Sequence, residues 1–290
     1  PANGATAVSQ NPLLQWKPGL QAASHEVYFG ADPNAVKNAT KSSPEYKGTQ
    51  ALGSTSYAPT NLGWETTYYW RIDEVNNVNP ASPWVGKVWS FTTADFGIVE
   101  DFEAYNDIPD GQPGSNLVYT TWLDGFANPN ANGSTMGYPT GSSLETANVH
   151  GGNKAVPLIY NNSTASLSEV ERTFAATQNW TSNGIQTLSL WFYGDATNVP
   201  GQLYVKINGV KVPYDGDASN LKKPIWQVWN ITLASVGVGL QSVTRLAVGI
   251  ETKGATGTLL LDDIRLYPTA PVFGEQIWLE AEAGTITAPM

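Results

Sequence analysis

Apolar and polar positions alternate with a period of two along most of this chain, and Gly, Pro, Asn and Asp interrupt the alternation at short intervals. This pattern predicts short strands joined by turns. In residues 1–95 the expected strands are Leu13–Trp16, which stops at Lys17-Pro18-Gly19, then Ser24–Phe29, Thr66–Asp73 and Lys87–Thr92. Tyr68, Trp70 and Ile72 share one face of the third. Residues 1–12 read as a linker or a first edge segment. From Ile98 to Pro268 the expected strands are Ala155–Tyr160, Ser168–Phe174, Thr187–Tyr193, Gln202–Asn208, Gln227–Leu233, Arg245–Ile250 and Gly257–Tyr267. No helical segment of length is evident, so two packed sheets are expected here as well.

The fold class is therefore all-β, a small sandwich followed by a larger antiparallel one. The expected domains are 1–95 and 98–269, joined by the short Phe96-Gly97 junction. Residues 270–290 form a linker, with Gln276–Ala283 as a candidate first strand of a truncated further module or as an edge strand of the second domain.

Composition supports this architecture. Hydrophobic residues make up 41% and charged residues 14% of the 290, and the 28 Gly and 19 Pro are dispersed as turns should be. The formal charge of −10 comes without any basic patch, which argues against nucleic acid and anionic membrane surfaces as partners. There are 0 cysteines, which excludes disulfides and a cysteine zinc site. No signal peptide and no long apolar run occurs, so membrane insertion is not expected. The 11 Trp and 13 Tyr exceed what two sandwich cores need, which leaves rings for a surface.

Trp16, Val27-Tyr-Phe-Gly30, Leu62 ahead of Thr66-Thr-Tyr-Tyr-Trp-Arg71, and Trp89-Ser-Phe-Thr-Thr93 give residues 8–94 a resemblance to fibronectin type III modules of bacterial extracellular proteins. The resemblance implies a spacer with no catalytic residues. Glu100-Asp-Phe-Glu103, His150-Gly-Gly-Asn-Lys-Ala155, Leu188-Ser-Leu-Trp-Phe192 and Leu261-Asp-Asp-Ile-Arg-Leu266 make the second unit resemble the galactose-binding-like, jelly-roll carbohydrate-binding modules. That implies a structural calcium, glycan binding, and a secreted or cell-surface location within a longer, monomeric, multidomain chain.

The acids suggest where such an ion would sit. Glu100, Asp101 and Glu103 open the second unit, Asp262 closes it, and first and last strands of a jelly roll are neighbours. Calcium takes six to eight oxygens, and the 149–154 loop, with Asn153, would add carbonyls. Strand parity places Asp262 with Leu260, Ile264 and Leu266 on the inner face, where a carboxylate needs a cation or several donors. Parity does not choose between Asp101/Glu103 and Glu100. A cluster of hydrogen-bonded or solvated carboxylates is the other reading.

Sugars stack their C–H faces on aromatic rings. Trp191 and Tyr193 lie opposite Leu188, Leu190 and Phe192, and Tyr204 and Lys206 lie opposite Leu203, Val205 and Ile207. These two sets are expected to align as one groove floor, bordered by Glu251 or Arg172, with Trp180 and Trp226 at strand ends. The segment 106–148 carries Tyr119, Trp122, Phe126 and Tyr138 with Asp107, Asp110 and Asp124. It reads as a surface cap, or as a segment that holds a second ion or forms a ligand loop, since insertions of this length tend to be functional or partly structured.

No catalytic constellation emerges. Glu145, Glu169, Glu171 and Asp195 are scattered, the two histidines His25 and His150 fall in different units, and no nucleophile elbow or P-loop is present. The expected function is non-catalytic polysaccharide binding that targets a larger carbohydrate-active protein. The alternatives are a structural or adhesive spacer, or a hydrolase or lyase on the jelly-roll scaffold, using converging acids in an open cleft or Tyr204 and Lys206.

Overall fold

The computed structural model describes residues 1–272 except residue 238. The protein is all-β. The Gln276–Ala283 strand expected above lies outside the described residues.

The first unit holds β1 (Ala5–Val8), β2 (Leu14–Gln15), β3 (Ser24–Gly30), α1 (Pro33–Asn38), β4 (Tyr46–Ala51), β5 (Ser56–Tyr57), β6 (Thr67–Val75) and β7 (Trp89–Thr93). Five strands form one sheet in the order β1-β7-β6-β3-β4, faced by the β2-β5 pair. Leu14, Phe29, Leu62, Trp70 and Phe91 fill the space between, with Tyr68 and Ile72 packed alongside. Of the two readings of residues 1–12, the edge segment is the one found, as β1, while the sequence signal missed β4 and β5. Each is short or lies at a sheet edge, where one face is solvated and apolar alternation is not required. It also missed α1, which Asp32 caps by accepting from the amides of Asn34 and Ala35, with proline at the first turn.

The second unit holds β8 (Gly97–Glu100), α2 (Val118–Thr121), β9 (Trp122–Leu123), β10 (Ser134–Met136), β11 (Val156–Asn161), β12 (Leu167–Gln178), β13 (Thr187–Tyr193), β14 (Gln202–Ile207), β15 (Val210–Pro213), β16 (Trp226–Thr232), β17 (Val243–Glu251) and β18 (Thr256–Tyr267). One sheet runs β10-β11-β18-β13-β16, with β8 also paired to β18. The other runs β15-β14-β17-β12-β9. A single core from Val99 to Leu266 lies between them. The two units meet where the Phe96 ring packs, tilted, against Tyr267 at 5.6 Å and Trp64 donates its indole N–H to the Asn183 carbonyl at 2.7 Å.

Two features of this topology redirect the expected site residues. First, β13 and β14 belong to different sheets. Leu188, Leu190 and Phe192 face the core from one side, and Leu203, Val205 and Ile207 face it from the other. Trp191 with Tyr193 and Tyr204 with Lys206 therefore point out of opposite faces of the sandwich and form no common floor. Second, β18 carries a bulge. Ser189 pairs with Arg265 while Trp191 pairs with Asp262, so two steps on β13 oppose three on β18. Asp263 absorbs the extra residue with φ of 44°. Leu259 and Leu261 face inward before the bulge, and Ile264 and Leu266 face inward after it. Asp262 consequently lies on the outer face beside Trp191, not on the inner face that unbroken alternation requires.

Glu100, on β8, points inward opposite Ile264 and is 5% exposed. Its carboxylate accepts from the Phe102 amide at 3.0 Å, the Tyr105 hydroxyl at 2.7 Å and the Trp122 indole at 3.0 Å. The Arg172 guanidinium, from β12 in the opposite sheet, completes the shell. Removing one partner of such a pair strands the other charge. Arg172→Leu is expected to lower the stability of the second unit by about 3 kcal/mol, measured by urea unfolding followed through tryptophan fluorescence.

Candidate functional site

The acids proposed for calcium are held by protein hydrogens. Asp262 accepts from the amides of His150 at 2.9 Å, Gly151 at 3.1 Å and Asp263 at 2.8 Å. Glu103 accepts from the amides of Asn153 at 2.7 Å and Lys154 at 2.8 Å. Asp101 accepts from the Glu103 amide at 3.2 Å. The 149–154 loop thus turns its N–H groups toward these carboxylates, whereas a calcium shell needs oxygens. Its glycines allow this approach: a Cβ on Gly151 would meet an Asp263 oxygen at 2.4 Å, and one on Gly152 would meet a Glu103 oxygen at 2.3 Å. The Lys154 ammonium lies on the carbonyls of Glu103 at 2.9 Å and Tyr105 at 2.7 Å, so the cation at this corner is a side chain. Glu100 and Asp262 face opposite sides of their sheet. Among the described residues no group of three or more metal-ligating side chains converges. The residues present do not fit a calcium ion.

The expected sugar platforms are mostly covered. Trp180 is 1% exposed and packs on Phe174. Trp191 is buried beneath His150, whose ring stacks on it at 3.7 Å. His150 is oriented by Asp263 at 2.5 Å, and Asp263 also pairs with Arg265 at 2.7 Å. Burial raises the Asp263 pKa, but His150 and Arg265 outweigh it and hold the carboxyl below its ordinary value. Tyr193 and Trp226 are half-buried neighbours at 5.5 Å, and the Trp226 indole donates to Asn148 at 3.1 Å. On the opposite face, Tyr204 is 0% exposed. Its ring lies across Gly249, where a Cβ would come within 2.5 Å of it, and the Lys211 ammonium sits 4.5 Å above its centre. Tyr204 donates to Glu169 at 2.7 Å, and Lys206 pairs with the same carboxylate at 2.6 Å. Burial, and then Glu169, push the Tyr204 phenol far up, which favours its protonated form. Glu251, expected at a groove border, is paired with Lys211 at 2.6 Å.

A cavity lies elsewhere, on the side wall where β9 and β10 end the two sheets. It encloses about 630 Å³ and is built from the segment 107–143. Tyr119 is 45% exposed, Leu123 62% and Phe126 71%, so large rings and an aliphatic chain face solvent at its rim. Tyr138 forms another wall and donates its hydroxyl to Glu145 at 2.7 Å. Burial and that carboxylate push its pKa up to about 12, which keeps it a donor.

Two carboxylates line the same space, each fixed from behind. Asp107 accepts from the Ser143 amide at 2.8 Å, the Ser143 hydroxyl at 2.6 Å and the Ser142 hydroxyl at 2.6 Å. Burial raises Asp107, yet these donors and the Lys154 charge outweigh it and hold the carboxyl below its usual range. Asp124 accepts from the amides of Phe126 at 3.0 Å and Met136 at 2.8 Å. Sequence reading had these residues in one aromatic-rich, acid-bearing segment. It had no signal that the segment folds around a void rather than over a sheet.

No family model and no curated protein matches this chain. Among solved structures, it is similar to an exo-beta-agarase at 13% identity and a TM-score of 0.37, over 60% of this chain and 25% of the agarase. This chain thus spans a quarter of that enzyme. A family 11 carbohydrate-binding module from Clostridium thermocellum, in complex with a beta-1,3-1,4-mixed-linked tetrasaccharide, aligns at 13% identity and a TM-score of 0.36, over 59% of this chain and 95% of the module. A structure of carbohydrate-binding modules from the beta-sandwich superfamily aligns at 13% identity and a TM-score of 0.34, over 92% and 99% of the two chains.

Two outcomes follow from the acids. Chelator or added calcium is expected to leave the melting temperature of the intact chain unchanged in differential scanning calorimetry; a calcium-dependent rise would refute the amide-filled arrangement. Burial pushes Asp262 up to about 6, against the pull of its amides. A folded pKa above the unfolded value of about 3.9 means that this contribution is full at lower pH. It is lost as pH rises through about 6. The second unit is expected to lose up to about 3 kcal/mol across that window, read from denaturant midpoints at stepped pH, and Asp262→Asn is expected to flatten the slope.

Proposed function

We propose that this chain is a non-catalytic, polysaccharide-binding part of a longer secreted or cell-surface protein, and that it grips its ligand in the side cavity. The observation that carries this reading is the joint presence of exposed aromatic rings and immobilised carboxylates around one space of about 630 Å³. Pockets of this size suit a few sugar units. Rings accept the C–H faces of pyranoses, while Asp107 and Asp124 are already oriented to accept hydroxyl hydrogens. Their ordering cost is met within the fold, which favours affinity.

The smaller sandwich then acts as a fibronectin type III-like spacer. The spacer reading for the whole chain draws on the covering of Trp191 and Tyr204; the open rings of Tyr119 and Phe126 weigh against it. Weak single-site binding of this kind gains from neighbouring modules through effective concentration.

Phe126→Ala and Tyr119→Ala are each expected to weaken binding to the recognised polysaccharide by roughly tenfold, about 1.4 kcal/mol, in affinity electrophoresis with an unchanged circular dichroism spectrum. Trp191→Ala, by contrast, should act on stability. If both cavity variants bind as the parent does, the cavity is not the site.

A further inference from the structure

The cavity has an unusual balance of hydrogen-bonding groups. Its charged acceptors are two carboxylates, and two of the four hydroxyls that line it are already spent. The Ser143 hydroxyl is given to Asp107 and the Tyr138 hydroxyl to Glu145. The amides of Phe126, Met136 and Ser143 are given to Asp124 and Asp107. Among the described residues no Lys, Arg or His lines the space. The nearest cation that acts on it is Lys154, behind Asp107, where its ammonium is held by two backbone carbonyls.

A ligand that satisfies such a space must bring donors and positive charge. A neutral sugar hydroxyl brings one donor and no charge. A uronate or a sulfated sugar brings negative charge and would be repelled by both aspartates. A protonated amine brings three donors and a full positive charge. It also gains from the faces of Tyr119, Phe126 and Tyr138, because aromatic rings attract cations through their negative faces.

We infer that the cavity is selective for amino sugars carrying a free ammonium group, such as the glucosamine units of a deacetylated amino-polysaccharide, with Asp107 and Asp124 taking the ammonium and Tyr119, Phe126 and Tyr138 flanking the ring. This deepens the polysaccharide-binding reading and rests on it. The acetylated form of the same sugar loses the charge and two of the three donors, so acetylation is the chemical switch that the cavity reads.

The test is isothermal titration calorimetry of the intact chain at mildly acid pH with a fully deacetylated glucosamine tetramer, its N-acetylated counterpart and a neutral glucose tetramer. The expected result is at least about tenfold tighter binding of the deacetylated tetramer than of either other sugar. Rising salt should shrink that preference, and both Phe126→Ala and Asp124→Asn should abolish it. Phe126 is exposed, so its replacement tests the cavity without threatening the core.

Equal binding of the glucose tetramer, lost in Phe126→Ala, would overturn the amino-sugar selectivity while leaving the cavity as a sugar site. Binding of the deacetylated tetramer that survives Phe126→Ala, or that a tetralysine peptide matches, would trace it to the overall charge of −10 and overturn the inference. No binding of any tetramer would overturn both readings.

Discussion

A carboxylate buried among aromatic rings sets the constraint on which the larger sandwich depends. Glu100 sits at the start of the unit and needs partners from both sheets: Arg172 from β12, the Trp122 indole from β9, and the Tyr105 hydroxyl from the segment between. An unpaired charge in this position would be prohibitive. Meeting that demand pins β8 against the opposite sheet and brings residues 102–122 back across the side of the sandwich. The segment that follows has its start fixed at Tyr105 and its end fixed where β10 pairs with β11. The side cavity is the space left beneath that fixed arch.

The same logic governs the charged corner near the 149–154 loop. The bulge at Asp262-Asp263 projects two adjacent carboxylates outward, and the glycine-rich loop answers them with N–H groups. Asp263 then orients His150 over Trp191, so an electrostatic demand ends by covering an aromatic ring. Lys154 closes the system by taking the carbonyls of Glu103 and Tyr105, next to the segment that leads to Asp107. The loop, the acids and the cavity are thus mechanically continuous. A cluster of acids at the ends of the first and last strands resembles a metal site in one dimension, yet in three it is an amide-filled, internally neutralised joint.

Function follows from which surfaces remain open once these demands are met. On the two broad sheet faces Trp191 and Tyr204 are covered, one by the His150 ring and the other by the Glu169–Lys206 and Lys211–Glu251 pairs around it. The side wall keeps exposed rings because the arch that carries them has no second layer to pack against. Exposed large aromatic rings in a concave setting mark a binding surface more strongly than scattered surface apolar residues do.

The long strands of the second unit were legible from alternation alone: Thr187–Tyr193 and Gln202–Ile207 lie where the period of two places them, whereas the short β9, β10 and β15 were not. The all-β class and the inward sets around Leu190 and Val205 were legible in the same way, because burial of one strand face is a local property of the sequence; the pairing of the first and last strands came from the resemblance to jelly rolls. Period-two patterning states whether a side chain faces in or out. It does not state which sheet a strand joins, so Trp191 and Tyr204 were set side by side although the fold puts them on opposite faces. A single extra residue reverses parity, so Asp262 changed sides at a bulge that only its partner strand reveals. Whether a loop offers amides or carbonyls, and whether an aromatic-rich segment lies flat or arches over a void, depends on backbone direction and on distant partners such as Arg172. Those were decided by the tertiary structure, since they arise from contacts between residues far apart in the chain.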